Sequence, residues 1–211
     1  MAKRNIIRVF EGFAGYGGAS FGLKKAKIPH RVIGYSDIEQ EAIDLYEYNF
    51  PNIKNYGDIT QIDETKLPDF DLFTGGFPCQ PFSTVGKMLG ELDTRGTLFY
   101  DIIRICEYKK PRYILLENVK GLLGKKHRPT FDKIISELNR IGYKNVQYAI
   151  LNSKDYGVPQ NRERLWIFGQ LGGLPEGFVL EPPHVELKYR IKDFLDKKPS
   201  EDLYRTQAQI D

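Results

Sequence analysis

Hydrophobic positions in this chain alternate between short apolar runs and longer stretches where apolar residues recur every three or four places. Residues 6–10, 31–36, 53–56, 72–74 and 112–116 read as buried strands, and 146–151 and 165–168 as two more. Between them, a glycine turn at 12–18 leads into a helix through Lys27, and 41–49 places Ala42, Leu45 and Tyr46 on one helical face. A third helical pattern covers 97–110, with Leu98, Ile102, Ile105 and Cys106 on its apolar side, and a fourth covers 131–141. Strands alternating with helices predict an α/β fold: an open, mostly parallel, Rossmann-like sheet with helices on both faces. Texture changes after Phe168, where Gly172, Gly173, Pro175, Pro182 and Pro183 mark a linker. The expected organisation is therefore a domain over 1–171, then a linker and polar tail over 172–211. Past about residue 185 there are too few apolar residues for a separate core.

In such a sheet, ligands bind outside the carboxyl ends of the strands. The first strand delivers the glycine turn to that rim, the second Asp37, the third Asp58, the fourth Cys79 and the fifth Glu117-Asn118. Phe13-Ala14-Gly15-Tyr16-Gly17-Gly18 is only loosely a dinucleotide loop, because Ser20 stands where a third glycine belongs. A structural turn before a helix is the alternative. Asp37, at the end of the second strand, suits the two hydroxyls of a ribose. A nucleoside-containing cofactor is expected, and the missing pyrophosphate fingerprint argues against NAD.

The most unusual stretch is Gly75-Gly76-Phe77-Pro78-Cys79-Gln80-Pro81-Phe82-Ser83, followed by a polar, glycine-containing segment up to Asp93-Thr94-Arg95-Gly96. Two glycines free the backbone, and two prolines stiffen the frame around the sulfur. This reads as a nucleophilic cysteine under a lid, or else as a small buried hydrophobe. Glu117 ends an apolar strand, where a carboxyl is poorly solvated. Beside a thiolate it could hold a ring nitrogen while sulfur adds to the neighbouring carbon; alone it would read as a helix cap.

Composition narrows the setting. The chain has 211 residues, 41% hydrophobic and 28% charged, enough for one sizeable domain. Its 2 cysteines make no disulfide framework, so a reducing cytoplasm is expected. The apolar run at 6–10 is too short for a signal peptide or membrane span. A net charge of +3 is too weak to establish a nucleic-acid partner by itself.

Taken in order, Phe13-Ala14-Gly15-x-Gly17-Gly18, Gly57-Asp58-Ile59, Gly76-Phe77-Pro78-Cys79-Gln80-x-Phe82-Ser83, Arg95-Gly96-Thr97-Leu98-Phe99, Glu117-Asn118-Val119 and Tyr156-Gly157-Val158-Pro159-Gln160-x-Arg162-x-Arg164 resemble the ordered motifs of the cytosine-5 DNA methyltransferases. The resemblance covers about residues 6 to 170. It implies an S-adenosylmethionine-dependent methyltransferase fold, that cofactor, double-stranded DNA as substrate, no metal, and a role in restriction–modification. Phe13, Gly15, Tyr16 and Gly18 would wrap S-adenosylmethionine, with Asp37 and Ile38 at the ribose and Asp58 and Ile59 at the adenine. Pro78 and Leu98 would complete the pocket. Cys79 would add to C6 of a flipped-out cytosine, Glu117 would hold N3 and the exocyclic amine, and Arg164 with Arg162 would hold the O2 side. Gln80, Ser83, Arg95, Asn118 and Gln160 would contact the substrate.

The chain also departs from the family. Glu11-Gly12 stands where Asp-Leu is usual, a change expected to be mild. Nothing after Arg164 matches the family's target-recognition region or last motifs. The expectation is one half of a split enzyme that works with a second polypeptide, or else a truncated gene product or a cloned fragment; a tRNA cytosine-5 methyltransferase and a non-catalytic regulatory subunit are the functional alternatives.

Overall fold

The strands are β1 (Ile7–Gly12), β2 (His30–Ser36), β3 (Leu72–Gly76), β4 (Tyr113–Val119), β5 (Gln147–Asn152) and β6 (Glu163–Gln170), and the helices α1 (Gly18–Lys25), α2 (Gln40–Asn49), α3 (Leu98–Lys109) and α4 (Arg128–Arg140). They come from a computed structural model that describes residues 6–78 and 98–200. Among the described residues the strands form one six-stranded sheet in the order β2-β1-β3-β4-β6-β5. β2, β1, β3 and β4 run parallel, and β6 runs antiparallel to β4. The mostly parallel α/β expectation holds, with one reversed strand that the sequence pattern did not reveal.

Alternation along each strand divides the sheet into two faces. Phe10, Phe73, Ile114, Leu116, Leu165 and Ile167 point to one face. There they pack with Ile102, Ile105 and Cys106 of α3 and Phe131, Ile134 and Leu138 of α4, all buried. Each such side chain contributes on the order of 1.5–3 kcal/mol by leaving water. The opposite face of β1 and β2 carries Glu11 and Tyr35, which meet Ser20 of α1 and Tyr46 of α2. Helices thus cover both faces. Cys106 is 1% exposed, and burial pushes its thiol well above the ordinary range, which suits the core role expected of it.

The run at 53–56 does not become a strand; it makes a single parallel bridge, Tyr35 to Asn55. Asn52 (φ 67°) and Gly57 (φ 70°) turn the backbone out of extended geometry on either side. Two backbone hydrogen bonds hold the run to β2, Tyr35 N–H to the Lys54 carbonyl at 3.0 Å and Tyr56 N–H to the Tyr35 carbonyl at 2.7 Å, and the Asn55 side chain adds more. It donates to the Asp37 carbonyl at 3.1 Å and accepts from the Gly57 and Asp37 N–H groups at 2.9 and 3.3 Å.

The chain divides into two compact units. One comprises residues 1–151 and 164–182, with the sheet's core. The other comprises 152–163 and 183–211. Within the second unit, Tyr156 bridges Val185 in parallel, Val185 N–H donates to the Asp155 carbonyl at 2.8 Å, and a short 3-10 turn runs over Ile191–Phe194.

Candidate active site

The parallel strands all deliver their carboxyl ends to one rim. Register places Gly12 beside Ser36 on one side and beside Gly75 on the other, and Gly76 beside Glu117. The chain leaves β1 towards β2 in one direction and β3 lies in the other, so the switch point of the sheet falls between β1 and β3. Two glycines line it. A Cβ on Gly12 would come within 2.8 Å of the Phe73 ring, and one on Gly75 within 3.2 Å of the Gly12 carbonyl. The glycine of the Glu11-Gly12 departure is thus matched by packing: Phe73 fills the volume beside Gly12.

From this point the chain enters the glycine turn. Phe13 has φ 52°, a left-handed angle uncommon for an aromatic residue. Gly17 (φ 86°) begins α1, and a side chain there would strike the Phe50 ring at 2.5 Å. Asp37 holds the turn. One carboxylate oxygen accepts the Gly15 N–H at 2.7 Å, and the other accepts the Glu39 N–H at 3.0 Å. Over Gly15 there is open space, while Tyr16 and Ile38 beside it are 58% and 66% exposed. A fixed carboxylate flanked by open backbone and two uncovered apolar side chains suits a nucleoside, with hydroxyls at the acid and an apolar body alongside. Gly18 is exposed at the start of α1. The residues present therefore fit S-adenosylmethionine.

Asp58 is exposed and caps the 3-10 turn Ile59–Gln61, its side chain accepting the Thr60 N–H at 2.9 Å, while Ile59 is buried. Pro78 is exposed at the end of the described segment, and Leu98 is half-buried at the start of α3, packed on the core. Cys79, Gln80, Ser83 and Arg95 lie outside the described residues.

On the other side of the switch point, Arg164 Nε meets Glu117 Oε1 at 2.8 Å, both side chains about a quarter exposed. The reversed β6 makes this possible. Glu117 pairs with Trp166 and Val119 with Arg164, so the acid and the guanidinium are diagonal neighbours on one face. Gly76 leaves room for the acid, since a Cβ there would stand 3.3 Å from Glu117 Oε2. Asn118 points to the other face and is buried. Its Nδ2 donates to the Phe77 carbonyl at 2.9 Å, and its Oδ1 accepts the Val119 N–H at 2.8 Å. It thereby clamps the peptide leading into Pro78-Cys79.

Gln160 and Arg162 belong to the second unit and are exposed. There the Ser153 hydroxyl donates to the Gln160 carbonyl at 2.6 Å, and the Arg162 N–H donates to Asn152 Oδ1 at 3.1 Å.

At the rim, Asn55 went unread in the sequence and Glu11 was read only as a departure from the family. Asn55 grips the backbone of Asp37; its position in Asn-Tyr-Gly, a turn-forming tripeptide, was the available signal. Glu11 is 1% exposed and accepts hydrogen bonds from Ser20 Oγ and Tyr46 Oη, both at 2.8 Å, locking β1 to α1 and α2 just before the glycine turn. Burial pushes its carboxyl above the ordinary range, and the two hydroxyls partly offset this. A charge inside an apolar run was the signal for Glu11.

Known proteins place this arrangement. Residues 7–210 match the family described as C-5 cytosine-specific DNA methylase. Type II methyltransferase M2.ScrFI of Lactococcus lactis subsp. cremoris is 34% identical over 97% of this chain and 72% of its own length. Type II methyltransferase M.NlaIV of Neisseria lactamica is 36% identical over 97% of this chain and 53% of its own. The chain therefore spans from about half to just under three quarters of these relatives. The crystal structure of the S. pombe Dnmt2 methyltransferase superposes with a TM-score of 0.75 at 27% identity, over 94% of this chain and 63% of that one. With the rim, the sheet order and the family match in agreement, the chain belongs to the C-5 cytosine-specific DNA methylases.

Proposed function

We propose that the chain carries the catalytic half of a DNA cytosine-5 methyl transfer that uses S-adenosylmethionine. The observation that carries this reading is the Glu117–Arg164 pair, on the same rim as the Asp37-held glycine turn and next to the peptide that enters Cys79. A cytosine inside a duplex cannot reach such a rim, so the base is flipped out first. Cys79 thiolate then adds to C6, and the electron pair of the C5–C6 double bond turns C5 into a nucleophile. Glu117 shares a proton with N3, where negative charge builds up, and accepts from the exocyclic amine, while Arg164, with Arg162, holds the O2 side. S-adenosylmethionine, when bound, supplies the methyl group that C5 takes. Loss of the C5 proton to a base then re-forms the double bond, breaks the sulfur–C6 bond and frees Cys79.

Phe13, Gly15, Tyr16, Gly18, Asp37, Ile38, Asp58, Ile59, Pro78 and Leu98 form the cofactor side in this reading. Gln80, Ser83, Arg95, Asn118 and Gln160 form the substrate side, and Asn118 also positions the cysteine peptide. The type II designation of the relatives supports a restriction–modification role. In the second unit Val185, Leu187, Tyr189, Ile191, Phe194 and Leu195 are all exposed, a surface suited to cover by a second polypeptide that reads the target.

The test is tritiated methyl incorporation from S-adenosylmethionine into duplex DNA, with the full chain alone and with a polypeptide supplying a target-recognition region. Transfer is expected to be slow alone and restored by the partner. Cys79→Ala should abolish it, and 5-fluorocytosine in the duplex should trap a covalent adduct only when Cys79 is present. Transfer by Cys79→Ala at about a tenth of the parent rate or more overturns the covalent route. Methylation of tRNA in preference to DNA overturns the substrate.

A further inference from the structure

Arg104 on α3 makes more polar contacts than its place outside the rim would require. Its Nη2 donates to the Ile59 carbonyl at 3.0 Å and to Asp101 Oδ1 at 3.1 Å. Its Nη1 donates to the Ile62 carbonyl at 2.6 Å and pairs with Glu64. Both carbonyls belong to the 3-10 turn Ile59–Gln61 and its C-terminal cap, Ile62. The opposite end of that turn is capped by Asp58. A short turn has little intrinsic persistence; its C-terminal closing bond here, Ile62 N–H to the Ile59 carbonyl, is 3.4 Å long, and the guanidinium bonds that same carbonyl and the Ile62 carbonyl beyond it. The turn is thus fastened from two sides, by the Asp58 carboxylate on the Thr60 N–H and by a guanidinium on the Ile59 and Ile62 carbonyls.

The electrostatics point the same way. Glu64 and Asp101 both pair with this one guanidinium, and burial together with the neighbouring acids Asp58 and Glu64 pushes the Asp101 carboxyl upward. Arg104 is what offsets that repulsion. It also fixes the turn to the helix that begins at Leu98. A lysine has one ammonium and no planar fork, so it cannot serve both carbonyls and both acids in this geometry.

We propose that Arg104 is a positioning residue for the cofactor site, holding the Asp58–Ile59 turn against the Leu98 end of α3 so that both meet the adenine together. This rests on the reading of Asp58, Ile59 and Leu98 as adenine contacts. Arg104 itself reaches no cofactor atom in that arrangement; it acts through the turn.

The experiment compares Arg104→Gln, Arg104→Lys and Asp58→Ala with Arg140→Gln, using the full chain. Arg140 is the control because it also joins α3 to α4 by charge, to Glu107 at 2.6 Å and Glu137 at 2.7 Å, away from the turn. Calorimetric titration with S-adenosylmethionine gives Kd, thermal unfolding gives Tm, and methyl transfer with the recognition polypeptide gives KM and kcat. Arg104→Gln should raise Kd and the cofactor KM roughly tenfold, the size expected when a charge-assisted hydrogen bond is lost. The KM for DNA, and kcat at saturating cofactor, should stay within about a factor of two, as for a lost uniform-binding contact. Arg104→Lys should fall between the parent and Arg104→Gln, and it carries the test alone if the glutamine variant does not fold. Arg140→Gln should lower Tm without moving Kd. An unchanged Kd in the Arg104 variants, or an equal rise in Arg140→Gln, overturns the inference while Asp58→Ala still weakens binding. If Asp58→Ala binds like the parent, the adenine assignment itself is wrong.

Discussion

Glu117 and Arg164 meet at 2.8 Å although they stand two ladder positions apart on strands that run in opposite directions. Glu117 Oε1 is held by the guanidinium and Oε2 lies over Gly76, so the acid is oriented before any base arrives. Glu117→Gln should keep the side chain's shape but lower methyl transfer by about a hundredfold or more, the scale of a lost acid–base or electrostatic group. Arg164→Gln should lower it about tenfold to a hundredfold. The double variant should be little worse than Glu117→Gln, since each residue acts through the other. Single-turnover transfer of tritiated methyl groups measures all three. Strict additivity of the two losses would show that the pair does not function as a unit.

Asp37 accepts the Gly15 N–H at 2.7 Å, so removing it takes away a turn fastening along with the proposed ribose contact. Asp37→Ala should weaken S-adenosylmethionine binding by about tenfold or more, and Asp37→Asn by less, because the amide oxygen still accepts from Gly15. At saturating cofactor kcat should be largely kept, opposite to the Glu117→Gln pattern. Calorimetric titration of the variants separates the two halves of the rim, and matching losses of affinity in Asp37→Ala and Glu117→Gln would mean they are wrongly divided.

Asn118→Ala leaves the buried Phe77 carbonyl without its donor. The expected loss is about 1–3 kcal/mol of stability, which in a chain of this size lowers Tm by roughly 2–4 °C per kcal/mol. Since the freed peptide leads into Cys79, kcat should fall more than cofactor affinity. Thermal unfolding and methyl transfer on one preparation check both; a stability loss with unchanged kcat would reduce Asn118 to a packing role.

Much of this organisation is visible in the residues themselves. The runs at 6–10, 31–36, 72–74 and 112–116 become β1 to β4, because fully buried parallel strands read as continuous apolar segments. Asp37 and Glu117 reach the rim because strand ends must. The run at 53–56 pairs with β2 only around Tyr35, because Asn52 and Gly57 turn the backbone on either side, which hydrophobicity does not register. Arg164 was legible from its motif, but its route to Glu117 depends on the direction of β6. Periodicity is the same for parallel and antiparallel strands, so that direction left no mark. Arg104 reads as one more charge on a helix; its partners are carbonyls some 40 residues away, as the separations of 45 and 42 residues show.

Glu11 gives a pH signature. Its carboxyl is raised by burial, so the folded chain holds a proton there that the unfolded chain has already released. Stability from this group is fully present below the ordinary glutamate value. It is lost as pH rises from there through the raised folded value. Glu11→Gln can still meet Ser20 and Tyr46 but cannot ionise, so it should lack this decline. Urea unfolding of parent and variant at pH 4.5 to 8 gives the difference curve, in which the other carboxylates cancel. The variant should gain on the parent as pH rises, and a flat difference would place the Glu11 proton elsewhere.

Gly12 and Phe73 share a single volume across neighbouring strands, with the ring tip 2.8 Å from where a Cβ on Gly12 would lie. Neither position is therefore an independent letter in the sequence. A larger residue at 12 collides unless 73 shrinks, and a smaller residue at 73 opens a hole unless 12 grows. Lineages that keep this rim should change the two sites together or not at all. Anyone grafting the glycine turn into a related enzyme must carry Phe73 along with it, although the two lie on separate stretches of chain.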